Sequence, residues 1–356
     1  KAASLLATPR WWEAFPIVDA ARWSGFRLFV GLNDTFFMAL LFFISGLFVW
    51  RSLERKGSGA FLRDRGRRLG LPFLAAAALV APLAYYPTFV QSGAPGGLSG
   101  FVRQWLALGE WPAGPAWFLW VLLAFDAIAA LAFARFPGAI EALGRASLQA
   151  RQRPVAFFAL FAGVSALAFI PLLLAAGPLH WFSFGPFYAQ TSRLAYYAVY
   201  FLTGVAVGAA GLERGLLTRD SALARRWGRW LSFAFLAFAV DIVVFLLTLA
   251  PHASPKAWSV ALGAGFALAS AALSFAFLAL CLRFAQRRNR ALDSLRANAY
   301  GMYLTHYAFV SWLQLAILKL PLSGLAKGCL VTAGTVALSW GLTAALRRVP
   351  GAARIL

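Results

Sequence analysis

The sequence predicts an all-α, polytopic transmembrane bundle, and three observations predict it: apolar composition, long uncharged runs, and charge that alternates between the connections. The 356 residues are 61% hydrophobic and 13% charged, with mean hydropathy +0.72, whereas a soluble domain is nearer half apolar and a quarter charged. Arginine and lysine total 33 against 12 acids, a net +21 that would suit a nucleic-acid binder if it lay on one domain. It lies instead in short clusters between apolar runs, with no zinc, RRM or helix-turn-helix signature, so no nucleic-acid partner is expected. Cys281 and Cys329 both fall inside apolar runs and imply neither a disulfide framework nor a metal site.

A helix needs about 20 mostly apolar residues to cross the hydrocarbon core. Nine runs qualify: 33–50, 71–90, 116–134, 155–176, 194–210, 230–249, 259–282, 299–320 and 325–346. Short connections separate them, without an internal repeat or a low-complexity tail, so residues 1–356 read as one integral-membrane domain. Connections on one side hold 24 of the 33 basic residues, including Arg63, Arg65, Arg67 and Arg68 after the first span and Arg347, Arg348 and Arg354 at the end. The positive-inside rule makes that side cytoplasmic, with the tail 347–356 inside and the segment 1–32 outside. A segment that starts outside without a signal peptide must have been carried there, so a helix preceding Lys1, and ten native spans, are expected. The opposite connections are rich in Pro, Gly and aromatics, as in PRWWEAFP, SGAPGGLSGF, LGEWPAGPAW and GPLHWFSFGPF, where tryptophan usually anchors at the headgroup level.

A charge inside a span costs several kcal/mol unless it faces protein or water, so each is a candidate. Asp34, in GLNDTFFMALLFFISGLF, reads equally as a helix N-cap or a site residue. Asp126 and Asp241 have no cation at helical spacing, and structural contacts between helices are the safer reading for both. His306, in ANAYGMYLTHYAFVSWLQ, sits with Asn298, Tyr300, Tyr303 and Tyr307 in a polar cluster, and its near-neutral pKa suits proton transfer. In FLRDRGRRLGLPF, Arg63 and Arg67 share one helical side and Arg65 and Arg68 another, ending at Pro72. Guanidinium groups hold phosphates bidentately, yet on spacing alone topogenic charge explains the cluster as well.

At these same residues the chain resembles the acyltransferase 3 family, membrane enzymes that move acyl groups onto sugars and other acceptors. The landmarks are FFMALLFFISGLF, FLRDRGRRLGLPF, GPAWFLWVLL, YFLTGVAVG and AYGMYLTHY, in this order. The resemblance implies a ten-helix core and an O-acyltransferase with acyl-CoA as cytoplasmic donor and a hydroxyl acceptor, a glycan among the candidates. It also implies a multi-pass protein of the bacterial inner membrane with a cytoplasmic C-terminus, and no bound cofactor or metal. Carried over by motif, Arg65 and Arg68 would contact donor phosphate, and Ser45 and Gly46 would let the first span pack beside the reaction channel. His306 would line that channel, with Tyr303 and with Trp117 of the WFL motif on the substrate. The family's proposed catalytic histidine lies on its first helix; this chain has only His180, His252 and His306, so the main base is expected upstream of Lys1, where Asp34 would orient it. The competing class is a carrier of a small anion or acylated intermediate, with Asp126, Asp241 and His306 in a central path; its repeats are not found.

Overall fold

In the computed structural model the described residues are 17–109, 111–248, 255–285, 289–353 and 355. The PRWWEAFP segment, His252, Arg287 and Arg288 lie outside them. The chain is a helical bundle with one small hairpin. In order come α1 (Ser24–Gly46), α2 (Val49–Gln91), α3 (Gly97–Ala107), α4 (Trp117–Arg135), α5 (Pro137–Leu148) and α6 (Pro154–Ala176). The antiparallel strands β1 (Trp181–Phe184) and β2 (Phe187–Gln190) follow, then α7 (Leu194–Ala210), α8 (Trp227–Thr248), α9 (Pro255–Phe284), α10 (Arg290–Ile317) and α11 (Gly324–Leu346). Among the described residues eight helices are long and apolar enough to cross a membrane. The ninth expected span, 299–320, is α10, which the polar residues Asn298, Tyr303, His306 and Gln314 make less apolar than its neighbours.

Two expected boundaries move. The first helix begins at Ser24 rather than 33, because the polar stretch does not interrupt it: Asn33 Nδ2 and Thr35 Oγ1 donate to the carbonyls of Phe29 and Gly31, four residues back. The basic segment does not end at Pro72 either. It runs on in α2, a 43-residue stretch kinked at Gly57, whose φ is +73°, and carrying π-helical turns at Gly66–Gly70 and Ala76–Val80. A proline inside a helix lacks an N–H and clashes with the carbonyl four residues back, and a wider turn relieves this. Here other elements supply the lost donors. The Arg68 carbonyl, four residues ahead of Pro72, accepts from Tyr300 Oη at 2.5 Å. The Leu83 carbonyl, four ahead of Pro87, accepts from Trp312 Nε1 at 2.9 Å. The Ala77 carbonyl, five ahead of Pro82 in a π-helical turn, accepts from Trp111 Nε1 at 2.7 Å. Tyr300 and Trp312 belong to α10, so the proline-bearing helix and the histidine-bearing helix are tied together along their length.

Elsewhere packing follows small residues and aromatics. A Cβ added to Gly204 of α7 would lie 2.1 Å from the Phe43 carbonyl oxygen of α1, and one on Gly46 would lie 2.2 Å from that of Phe201. Helices meet this closely in membranes where glycines recur every four residues, as Gly204 and Gly208 do. Phe42 is fully buried among Trp117, Phe118, Phe125 and Tyr197. Leu160, Leu167 and Leu236 of α6 and α8 are more than half exposed, the outward apolar face that hydrocarbon, not water, accepts.

Candidate functional site

The helix α10 carries two sets of side chains at helical spacing. Tyr300, Leu304 and Tyr307 turn to α2 and the segment before α4: Tyr300 bonds the Arg68 carbonyl, and the Tyr307 ring lies edge-on to Tyr85 at 5.6 Å. Tyr303, His306, Val310 and Gln314 turn the other way, into a cavity of about 1040 Å³ between α1, α10 and α11. Its walls are apolar, with Phe29, Val30, Phe37 and Met38 from α1 and Val331 and Val336 from α11, and Trp117 reaches it from the start of α4.

The polar atoms in this cavity are fixed by their neighbours. Tyr303 Oη donates to the Pro115 carbonyl, which holds the phenol against the GPAW turn. His306 Nδ1 lies 2.7 Å from the Tyr303 carbonyl. A carbonyl only accepts, so Nδ1 carries the proton and Nε2 keeps the lone pair. His306 is therefore arranged as a proton acceptor on a cavity wall. Thr335 Oγ1 and Gln314 Oε1 are buried without a hydrogen-bond partner among the described residues, although both residues line the same space. At the far rim Lys327 Nζ donates to Asp19 Oδ2 and to the Leu318 carbonyl, each at 2.7 Å, and this ammonium holds the Asp19 carboxyl below the usual carboxylate range. Arg22 and Arg27 stand on the same rim.

The other residues expected at the site are distributed around it. Arg68 belongs to the π-helical turn whose carbonyl Tyr300 caps, and its guanidinium is exposed, with Nε 3.5 Å from Asp64 Oδ1. Arg65 Nε lies 3.2 Å from Oδ2 of fully buried Asp126, and its guanidinium sits over the Phe61 ring. Asp126 thus has the partner on another helix that makes a buried carboxylate tolerable. Asp34 is not an N-cap: it is well inside α1 and makes a bidentate pair with Arg193, at 2.9 and 2.7 Å. Gly46 does allow close packing, but against α7, and neither it nor Ser45 lines the His306 cavity. His180 belongs to the hairpin, with Nδ1 2.9 Å from Thr191 Oγ1. Trp111, Trp120 and Trp312 donate their indole N–H to carbonyls of the bundle instead of serving only as interfacial anchors. Sequence reasoning missed Arg193 as the partner of Asp34 and Thr335 as a cavity residue; pairs 159 residues apart leave no local signal. Among the described residues no cluster of His, Cys, Asp and Glu could hold a metal ion.

A family model described as an acyltransferase domain matches residues 11–344. The chain belongs to the acyltransferase 3 family. As a member with eight apolar membrane-length helices among its described residues, it is a multi-pass membrane acyltransferase. No curated protein matches the chain, and no solved structure does.

Proposed function

We propose that this acyltransferase moves an acyl group from acyl-CoA, bound at the cytoplasmic face, to the hydroxyl of a carbohydrate-like acceptor. The observation that carries the reading is the run of α10 from Tyr300, on the Arg68 carbonyl, to His306, on the cavity wall. The six-residue step from one to the other rises about 9 Å along the helix. In this reading α10 links, by its two faces, the turn that offers a cation to donor phosphate and the cavity that offers a proton acceptor. Positive-inside topology assigns the basic side to the cytoplasm, in keeping with a bacterial inner-membrane protein whose C-terminus is inside.

In the reaction, the acceptor hydroxyl oxygen attacks the thioester carbonyl as His306 Nε2, taking the place here of the upstream histidine that the resemblance implies as main base, accepts its proton. The C–O bond forms, the C–S bond breaks, and the proton passes from His306 to the departing CoA thiolate. Exposed Arg68 binds donor phosphate, while Arg65, held by Asp126, adds positive potential beside it. Trp117 and Tyr303 shape the pocket around the thioester.

The test is turnover of acyl-CoA by the full-length protein in detergent or liposomes. His306→Ala should lower kcat by roughly 10²–10⁴-fold with acyl-CoA affinity retained. Arg68→Ala should weaken acyl-CoA binding roughly tenfold, the loss of one charge-assisted contact. Unchanged affinity in the arginine variant would sink the donor-site assignment. Counterflow of a small anion in liposomes with no thioester consumed would establish the carrier class in its place.

A further inference from the structure

We infer that the cavity between α1, α10 and α11 seats the hydrocarbon chain of the donor, so that the protein takes long-chain acyl donors in preference to acetyl. The inference rests on the acyl-transfer reading and names its substrate class. Its first support is size. A cavity of about 1040 Å³ is at the upper end of what small-molecule sites enclose, and an acetyl group would leave nearly all of it empty. Wall chemistry is the second support. Between His306 and the rim the lining is mostly apolar, with Phe29, Phe37, Met38, Val310 and Val331 suited to methylene groups and Gln314, Thr332 and Thr335 as its few polar members.

Charge placement then orients the ligand. On the basic side α10 holds, by the face opposite the cavity, the turn that carries exposed Arg68, and at the far end of the cavity stand Arg22, Arg27 and the Lys327–Asp19 pair. A donor with anionic phosphates and an apolar tail fits this order: phosphates at the arginine turn, thioester beside His306, chain along the groove. Thr335, only 7% exposed, supplies a hydroxyl without a partner among the described residues, a donor for the thioester oxygen. The charged rim ends the apolar stretch. From His306 to Ile317, both on the cavity wall, α10 rises about 16 Å, which sets the chain length the groove covers.

The experiment is a donor series of acetyl-, butyryl-, octanoyl-, dodecanoyl- and palmitoyl-CoA with the full-length protein. Each added methylene buried from water should raise kcat/KM about fourfold until the groove is filled. Val331→Trp, which narrows the groove, should lower the dodecanoyl-to-acetyl ratio at least roughly tenfold. Leu330→Trp, on the exposed face of the same helix, should keep the original ratio. A flat series, or one that peaks at acetyl-CoA, overturns the chain seat and leaves acyl transfer standing. If no thioester is consumed, binding decides: a brominated dodecanoyl-CoA should quench tryptophan fluorescence in the wild type and less in Trp117→Phe. Equal quenching in both overturns the inference. So does a photo-crosslinker at Val336 that captures a peptide of this or a second chain instead of the donor.

Discussion

Asp126 and Asp241 look alike in sequence, each an isolated carboxylate near the middle of an apolar run, yet the bundle treats them differently. Asp126 is fully buried on α4 and faces Arg65 of α2 at 3.2 Å. Asp241 lies on α8 against Gly265 of α9, with Oδ1 unbonded and no cation within ion-pair distance among the described residues. The difference follows from where each helix runs. The helix α4 is surrounded by α2, α7 and the hairpin and stands beside the basic turn, whereas α8 is largely exposed apart from its seam with α9. An ionic group deep in a bundle is retained with its partner, while one at a peripheral seam needs only a small neighbour to fit beside. What separates the two regions is a cation on a neighbouring helix, present at Asp126 and absent at Asp241 among the described residues.

Removing Arg65 should break this contrast most severely. Arg65→Ala leaves Asp126 buried without its cation and should cost about 3–5 kcal/mol in detergent unfolding, with much of the loss recovered by Asp126→Leu in the same chain. A loss as small as that of a surface substitution would mean that the pair is not formed in the membrane.

The hydrogen bonds that answer the α2 prolines should matter less, one at a time. Tyr300→Phe removes the donor from the Arg68 carbonyl and should cost about 1 kcal/mol, measurable as faster hydrogen exchange in the 66–72 turn. No change in exchange there would show that the turn is held by α2 alone. Asp241→Asn should be the mildest, within about 1 kcal/mol of the parent, because shape is kept and no ion pair is lost. Destabilisation equal to that of Arg65→Ala would reveal a cation at Asp241 and erase the distinction between the two regions.

Much of this could be read in the chain, and the failures are local ones. The apolar runs gave the helices, because a backbone in hydrocarbon must satisfy its own hydrogen bonds. The boundaries erred where a rule about one residue type met a partner from elsewhere: Pro72 did not stop α2 because Tyr300 reached it, and GLND did not delay α1 because its side chains bonded their own helix. At the site, His306, Tyr303 and Trp117 line one cavity. Gly46 and Asp34 stand elsewhere, on the α7 contact and in the Arg193 pair, and Ser45 does not line the cavity.

By itself, then, the amino-acid sequence determined the membrane class, the helix count to within one segment, the side that carries positive charge and the residue types available for acyl transfer. These depend on local hydrophobicity and on charges that a bilayer sorts one segment at a time. Only the tertiary structure decided which carboxylate meets an arginine, which helix caps the Arg68 carbonyl, and how large a space opens beside His306. Those are relations between residues tens to hundreds of positions apart, such as Arg65 with Asp126 and Arg68 with Tyr300, and helix packing alone brings them within bonding distance.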